Sequence, residues 1–294
     1  MATFTLKYNR MHWVTIDGLE QHWQPTRVDA EYSDKGSVTV ATRNVTGLTL
    51  SFPAGWAPFD VAEPVSVSIN GQVLNGPRPL SDRSWICWVH REGSEWRLGA
   101  TGDGVRKKHD LQGPIDDAFM DSFVFVRPTG KFAHPAVERW VRGELDHAIT
   151  AWRQQFRGQA RVKDDKEITG ADIASANLVL WGDASSNAVL ARIADKLPIK
   201  WTEKDVVAGE QRFTADRHAP ILIHPNPLNP GRYVVLNSGF TYRDADYSNH
   251  PRQFAKLPDW AIVDLETPPD GRHPGKIVTA DFFDERWMLK SASK

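Results

Sequence analysis

Residues 177 to 187, NLVLWGDASSN, put a glycine, a carboxylate, two hydroxyls and an amide directly after an apolar run. Several chemistries use such a set. A phosphate loop needs G-x-x-x-x-G-K-[ST] and a dinucleotide fold needs G-x-G-x-x-G, because the extra glycines let backbone amides close on phosphate; here Gly182 stands alone. A nucleophile elbow holds a strained serine in G-x-S-x-G, a pattern found nowhere in the chain. Two readings remain. The stretch is either a strand-to-helix junction capped by Asp183, Ser185 or Ser186, or a helix N-terminus whose amides receive an anionic or carbonyl group of a ligand.

Other side chains carry weaker signals. Asp116 and Asp117, with Asp121 nearby, could hold a divalent cation or act as general acid and base. Neighbours in an extended segment face opposite sides, so convergence needs a sharp turn, which Gly113-Pro114 could supply; capping or tying a connection is the alternative. The ten histidines include no H-E-x-x-H, and His218 and His224 are spaced off any common helical face. His224 ends the run APILIH at a loop, as a base or as a backbone-bonded residue. Ser238 ends YVVLNSG, where Ser-Gly is also ordinary turn chemistry. If FVFVRP, NLVLWG and APILIH run parallel, then Arg127, Asp183, Ser185 and His224 gather at one carboxyl edge, where open α/β sheets bind ligands.

The elements that must position these residues fall into two halves. Up to residue 105, short alternating runs (TFTLKY, HWVTI, VTVATRN, LTLSF, VSVSI, SWICWVHR) are separated by turn residues, including Asn70-Gly71, which suits a two-residue hairpin. This pattern predicts an antiparallel β-sandwich over 1–105. A polar connector, TGDGVRKKHD, leads into 106–294, where apolar strands alternate with helical periods and predict an α/β domain. Pro135 opens the clearest helix, with Val137, Trp140, Val141, Leu145, Ala148, Ile149, Trp152 and Phe156 three and four apart until Gly158. Thr169 and Asp172 read as a capping box. APILIH and RYVVLN are joined by a connection too short for a crossover helix, so they pair antiparallel and the sheet is mixed. The whole is an α+β chain of two domains.

Composition bounds the function classes. With 294 residues and a formal net charge of −1, the chain has core enough for two domains and no global field to attract nucleic acid. It lacks an apolar run long enough for a membrane helix, and its N-terminus lacks a signal peptide's apolar core. A complete chain of this kind would be cytoplasmic; a portion of a larger protein could be secreted or periplasmic. The one cysteine, Cys87, excludes an internal disulfide and reads as a buried thiol, and the twelve tryptophans read as core and hairpin packing. No cofactor is implied.

LQGPIDDAFMDSFVFVRPTG, FRGQARVKDDKEITGADIASANLVLWGDASSN, HPNPLNPGRYVVLNSGF and LPDWAIVD resemble the C-terminal region of large bacterial serine hydrolases of the prolyl-oligopeptidase, α/β-hydrolase-like kind. HWVTIDGLEQHW and NVTGLTLSFPAG are similar to the β-rich part before it, so the resemblance spans nearly the whole chain. It implies a serine nucleophile in a separate upstream domain, and no catalytic residue carries over to this chain. Two expectations follow. One is a non-catalytic accessory or substrate-presenting module of such an esterase or peptidase, with a carbohydrate or ester as substrate. The alternative is a self-sufficient hydrolase of activated carboxyl or phosphate esters using Ser185 or Ser186, Asp183, His224 and Arg127, with a metal-assisted variant at Asp116 and Asp117.

Overall fold

The computed structural model describes residues 1–102, 104–248 and 256–290 of a mixed α/β chain in which strand predominates. Two compact units divide at Met1–Gln112 and Gly113–Lys294, a few residues past the 105/106 boundary expected from composition. Asp103 of the polar connector lies outside the described residues. No described helix is long and apolar enough to cross a membrane.

In the first unit, the described strands are β1 (Ala2–Thr3), β2 (Arg10–Met11), β3 (Val14–Leu19), β4 (Thr26–Ser33), β5 (Ser37–Arg43), β6 (Val45–Phe52), β7 (Ser66–Ile69), β8 (Gln72–Asn75), β9 (Trp85–Glu92) and β10 (Glu95–Leu98). They form two five-stranded sheets, ordered β1-β4-β5-β7-β8 and β10-β9-β6-β3-β2. Alternation decides which side chains leave water: Trp85, Cys87 and Val89 point inward while Ile86 and Trp88 stay outside. Val28, Val40 and Ile69 of one sheet join Ile16, Leu50 and Cys87 of the other in a single buried cluster. Burial pushes the Cys87 thiol up to about 11, which keeps it protonated and unreactive. Asn70 and Gly71 take φ of 51° and 89°, the pair of positive values that a tight β7–β8 hairpin requires. The pairing is not wholly antiparallel, however: β5 and β7 run parallel, because β6 crosses to the second sheet between them.

The second unit is built on a seven-stranded sheet, ordered β12-β11-β13-β18-β17-β19-β20. Its strands are β11 (Phe123–Arg127), β12 (Val162–Asp164), β13 (Asn177–Leu180), β17 (His218–Asn226), β18 (Asn229–Leu236), β19 (Trp260–Asp264) and β20 (Lys276–Asp281). β14 (Lys200–Trp201), β15 (Asp205–Ala208) and β16 (Gln211–Thr214) make a separate three-stranded sheet. β11, β12, β13 and β18 are parallel, and β17 runs against β18. The expected parallel set is therefore corrected. APILIH lies in β17 and opposes FVFVRP and NLVLWG, whereas RYVVLN is the strand that joins them.

The helices follow the sequence periodicity. α1 (Pro135–Phe156) starts with Pro at its first turn and buries Val137, Trp140, Val141, Leu145 and Ala148 along one stripe. It closes at Arg157, whose φ of 59° makes the left-handed cap one residue before the glycine expected to do so. α2 (Gly170–Ser175) carries the reciprocal Thr169–Asp172 box, with the Thr169 amide donating to Asp172 at 2.9 Å. The helix packing is close where Ala148 meets the loop after β18, since a Cβ added to Gly239 would lie 2.6 Å from the Ala148 Cβ. Mid-helix Gly143, by contrast, has nothing within 4 Å of such a Cβ. Gly239→Ala is expected to cost about 1–3 kcal/mol through overpacking, and Gly143→Ala to add about 0.5–1 kcal/mol through helix propensity. Urea denaturation of both variants checks the two signs.

Candidate functional site

The loop after β13 spends its polar groups on its own backbone. Asp183 Oδ1 accepts the amides of Ser185 and Ser186 at 3.0 and 2.8 Å, and its Oδ2 accepts the Ala133 amide at 3.0 Å. Ser186, 1 % exposed, accepts the Asp183 amide at 2.9 Å and donates to the Asp183 carbonyl. Asn187 caps α3 (Ala188–Ala191) by accepting the Val189 and Leu190 amides, while its amide group donates to the Trp181 and Val126 carbonyls. The Ala188 amide is bound by Asp165 at 2.6 Å. The amides that a ligand would use at this helix start are thus occupied, and the junction reading of NLVLWGDASSN accounts for each of these bonds. Across the cleft between β11 and β13, where the strand order reverses, the Gly130 amide donates to the Ser186 carbonyl at 2.8 Å. Open sheets commonly bind ligands at this reversal, and here the protein's own hydrogen bonds close it.

The remaining expected site residues do not gather there. Because β17 is antiparallel, His224 pairs with Val234 toward the opposite end of the sheet from the Gly182–Asn187 loop. It is buried, its Nδ1 donates to the Pro225 carbonyl at 2.8 Å, Phe283 and Trp287 pack edge-on against it, and burial lowers its pKa. Arg127 extends to Asp164 of β12, 2.6 Å away, in an exposed ion pair. Ser185 is exposed, and Ser238 is buried with its hydroxyl donating to the Gly239 carbonyl.

The aspartates of the Ile115–Phe119 turn diverge. Asp116 accepts the Thr241 amide at 2.6 Å and the Thr241 hydroxyl, whereas Asp117 accepts the Tyr233 hydroxyl at 2.7 Å. Asp121 pairs with Arg232. Among the described residues, no group of three or more His, Cys, Asp and Glu is arranged to hold a metal ion. The observed contacts give the carboxylates tying roles between this turn, β18 and the segment after it.

That segment forms part of a cavity of about 430 Å³ at the carboxyl end of β18, lined also by α1, by Asp246 and Lys256, and by Arg272–Pro274. At its base Arg243 donates two hydrogen bonds to Glu144, at 2.7 and 3.1 Å, with both side chains more than nine-tenths buried. Arg243 Nε donates to the Asp270 carbonyl at 2.9 Å. His147, one turn along α1 from Glu144, has a buried Nε2 with no partner among the described residues. Desolvation, then the Arg243 charge, lower its pKa, so the imidazole is neutral near pH 7. Lys256 pairs with Asp246 at 2.6 Å. Asn237 joins this cavity to the closed loop: its side chain accepts the Gly182 amide at 2.8 Å and donates to the Gly182 carbonyl at 3.2 Å.

Glu144, His147 and Arg243 are absent from the sequence-derived site. One signal marks the first of them. Glu144 falls on the apolar stripe of α1, between Val141 and Ala148, where a charge must find a buried partner.

Asp116 supplies a pH test of the segment's anchor. Burial raises its pKa to about 6, above the ordinary carboxylate value near 4, so ionisation opposes folding. The contribution is fully present below about pH 4 and is lost as pH rises through about 6. Relative to Asp116→Asn, the wild-type chain is expected to lose about 3 kcal/mol across that interval, measured by urea denaturation at each pH. A parallel pair of curves would contradict it.

Compared with models of protein families, with curated proteins and with solved structures, the chain shows no significant match to any of them.

Proposed function

We propose that the chain is a ligand-binding module that presents a substrate to a serine hydrolase of the kind its sequence resembles, without forming a covalent intermediate itself. The observation that carries this reading is the contrast at the carboxyl edge of the second sheet. Asp183, Ser186 and Asn187 are saturated by backbone hydrogen bonds, while the neighbouring cavity keeps a buried imidazole nitrogen with no partner among the described residues, together with a buried ion pair. A nucleophilic serine needs a base within hydrogen-bond reach, and His224 sits toward the other end of the sheet from Ser185 and Ser186. In this reading the nucleophile belongs to an upstream domain, and an ester or a carbohydrate-linked ester is what the module holds. Met1–Gln112, with one core shared by two sheets, serves in this reading as a β-sandwich carrier.

The purified chain, challenged with activated carboxyl and phosphate esters, is expected to give background rates unchanged in Ser185→Ala, Ser186→Ala and His224→Ala. Ser186→Ala is expected instead to lose about 1–3 kcal/mol of stability, because the buried Asp183 amide loses its acceptor. Turnover that any of the three substitutions abolishes would establish the self-sufficient hydrolase in place of the module.

A further inference from the structure

We propose that the open edge of β9 at Ile86 binds a short extended peptide, which adds as a strand through the Ile86 backbone, sets apolar side chains in the adjoining cavity and carries an acidic residue at its flank. The site lies within Met1–Gln112, goes beyond the module reading above and does not depend on its outcome.

The ladder leaves one residue open. The Ser51 amide donates to the Trp13 carbonyl at 2.8 Å, so Ser51 turns its backbone groups toward the β3 side, and its pairing with Ile86 is a non-hydrogen-bonded one. Ile86 therefore directs its N–H and C=O to the outer edge of β9, where β10 pairs only from Val89 to Glu92. The neighbouring edge groups are met. The Ser84 carbonyl accepts the Leu80 amide at 2.9 Å and the Trp88 carbonyl accepts the Gly99 amide at 2.8 Å. Farther along, on β10, the Gln72 side-chain amide donates to the Trp96 carbonyl at 2.7 Å and accepts the Trp96 N–H at 2.8 Å. Between these points neither backbone group of Ile86 has a partner among the described residues. Strand edges are normally covered because such groups recruit a further strand. Gln72 shows the complement that suits this edge, an amide offering donor and acceptor together. From Ser84 to Trp88 the edge is open over about 13 Å at ~3.4 Å per residue, room for about three residues of an added strand.

Shape and charge narrow the occupant. A cavity of about 650 Å³ opens beside this edge, lined by Ile86 and by Pro77, Leu80, Trp88 and Leu98. Leu80 and Leu98 are 64 % and 44 % exposed, so the free chain leaves this apolar wall to water. Side chains of an added strand alternate between faces, so a peptide can pair its backbone with Ile86 and still cover the wall. A purely aliphatic ligand would cover the wall and leave Ile86 open. Arg10 and Arg78 also line the cavity, both exposed and neither in an ion pair among the described residues, and no carboxylate lines it. The carboxylates around it have cations of their own: Asp17 feels Arg106, Asp82 is followed by Arg83, and Glu92 and Glu95 share Arg97. The surplus is positive, which favours an acidic over a basic flank.

Isothermal titration of the full chain with acetyl-Asp-Val-Ile-Val-Asp-amide, with its analogue N-methylated at the three central residues, and with acetyl-Lys-Val-Ile-Val-Lys-amide tests the assignment. Saturable binding of the acidic peptide is expected, with the N-methylated analogue weaker by about tenfold or more, the scale of a lost hydrogen bond, and the lysine peptide weaker than the acidic one. Ile86→Pro removes the edge donor where an outward N–H tolerates proline, and is expected to weaken binding by a similar factor. Leu98→Glu, at an exposed apolar position, is expected to weaken it as well, so the test survives a proline variant that does not fold. Hydrogen exchange gives a second readout: the Ile86 amide is expected to exchange freely in the chain alone and about tenfold or more slowly under saturating peptide. No saturable heat, equal affinity for the acidic peptide and its N-methylated analogue, a preference for the lysine peptide, or an Ile86 amide that peptide does not protect would each overturn the proposal. Self-association of the chain that the peptide does not disrupt would give the edge to a second copy and overturn it too. The ester assay reads the second unit, so its result and this one fail separately.

Discussion

The buried pair of Glu144 and Arg243 sets the terms for the second unit. A carboxylate on the inner stripe of a helix stays ionised only if a cation comes to it with its hydrogen bonds made, and the bidentate fork from Arg243 does this at 2.7 and 3.1 Å. The fork reaches α1 from the segment after β18, and its third nitrogen binds the Asp270 carbonyl in the β19–β20 connection. One guanidinium therefore fixes three distant stretches of chain around a single concavity. Such pairs seldom add net stability over well-packed apolar residues, yet losing one partner strands the other at a cost of about 3–5 kcal/mol. The pair specifies which segments meet, and the cavity exists because they do.

A dense polar stretch such as GDASSN invites a catalytic interpretation, and the hydrogen bonds show the competing demand on it. A chain leaving a parallel strand for a short helix exposes several amides at once, and those that are buried need partners within the protein. Asp183, Ser186 and Asn187 meet that demand side by side, and the positive φ of 106° at Gly182 lets the chain turn close to Ser186 and Pro128. Chemistry-bearing residue types and loop-bearing residue types overlap, so their partners, rather than their presence, decide their role.

Local features were legible in the sequence to the extent that local physics controls them. The start of α1 at Pro135, its buried stripe, the Thr169–Asp172 box and the Asn70-Gly71 hairpin each follow from spacing or from one residue's backbone preference. Strand direction is different. The short connection between β17 and β18 fixes that they oppose each other, but which of them joins β11 and β13 is decided by long-range pairing that no periodicity records. That single choice moved His224 away from Ser185 and brought Asn237 and Ser238 beside Gly182 instead. The cavity was still less legible, since it is assembled from segments near residues 144, 240, 256 and 272. Glu144, out of place on an apolar stripe, was its one trace.

The two hydrogen bonds from Asn237 to the backbone of Gly182 have a mechanical side. They continue the β13–β18 ladder beyond its last pair through a side chain, so the floor of the cavity is clamped to the centre of the sheet. Shifting that floor would break both bonds inside a buried layer. The floor of the cavity therefore moves only when the centre of the sheet moves with it, which ties the shape of this concavity to the integrity of the core beneath.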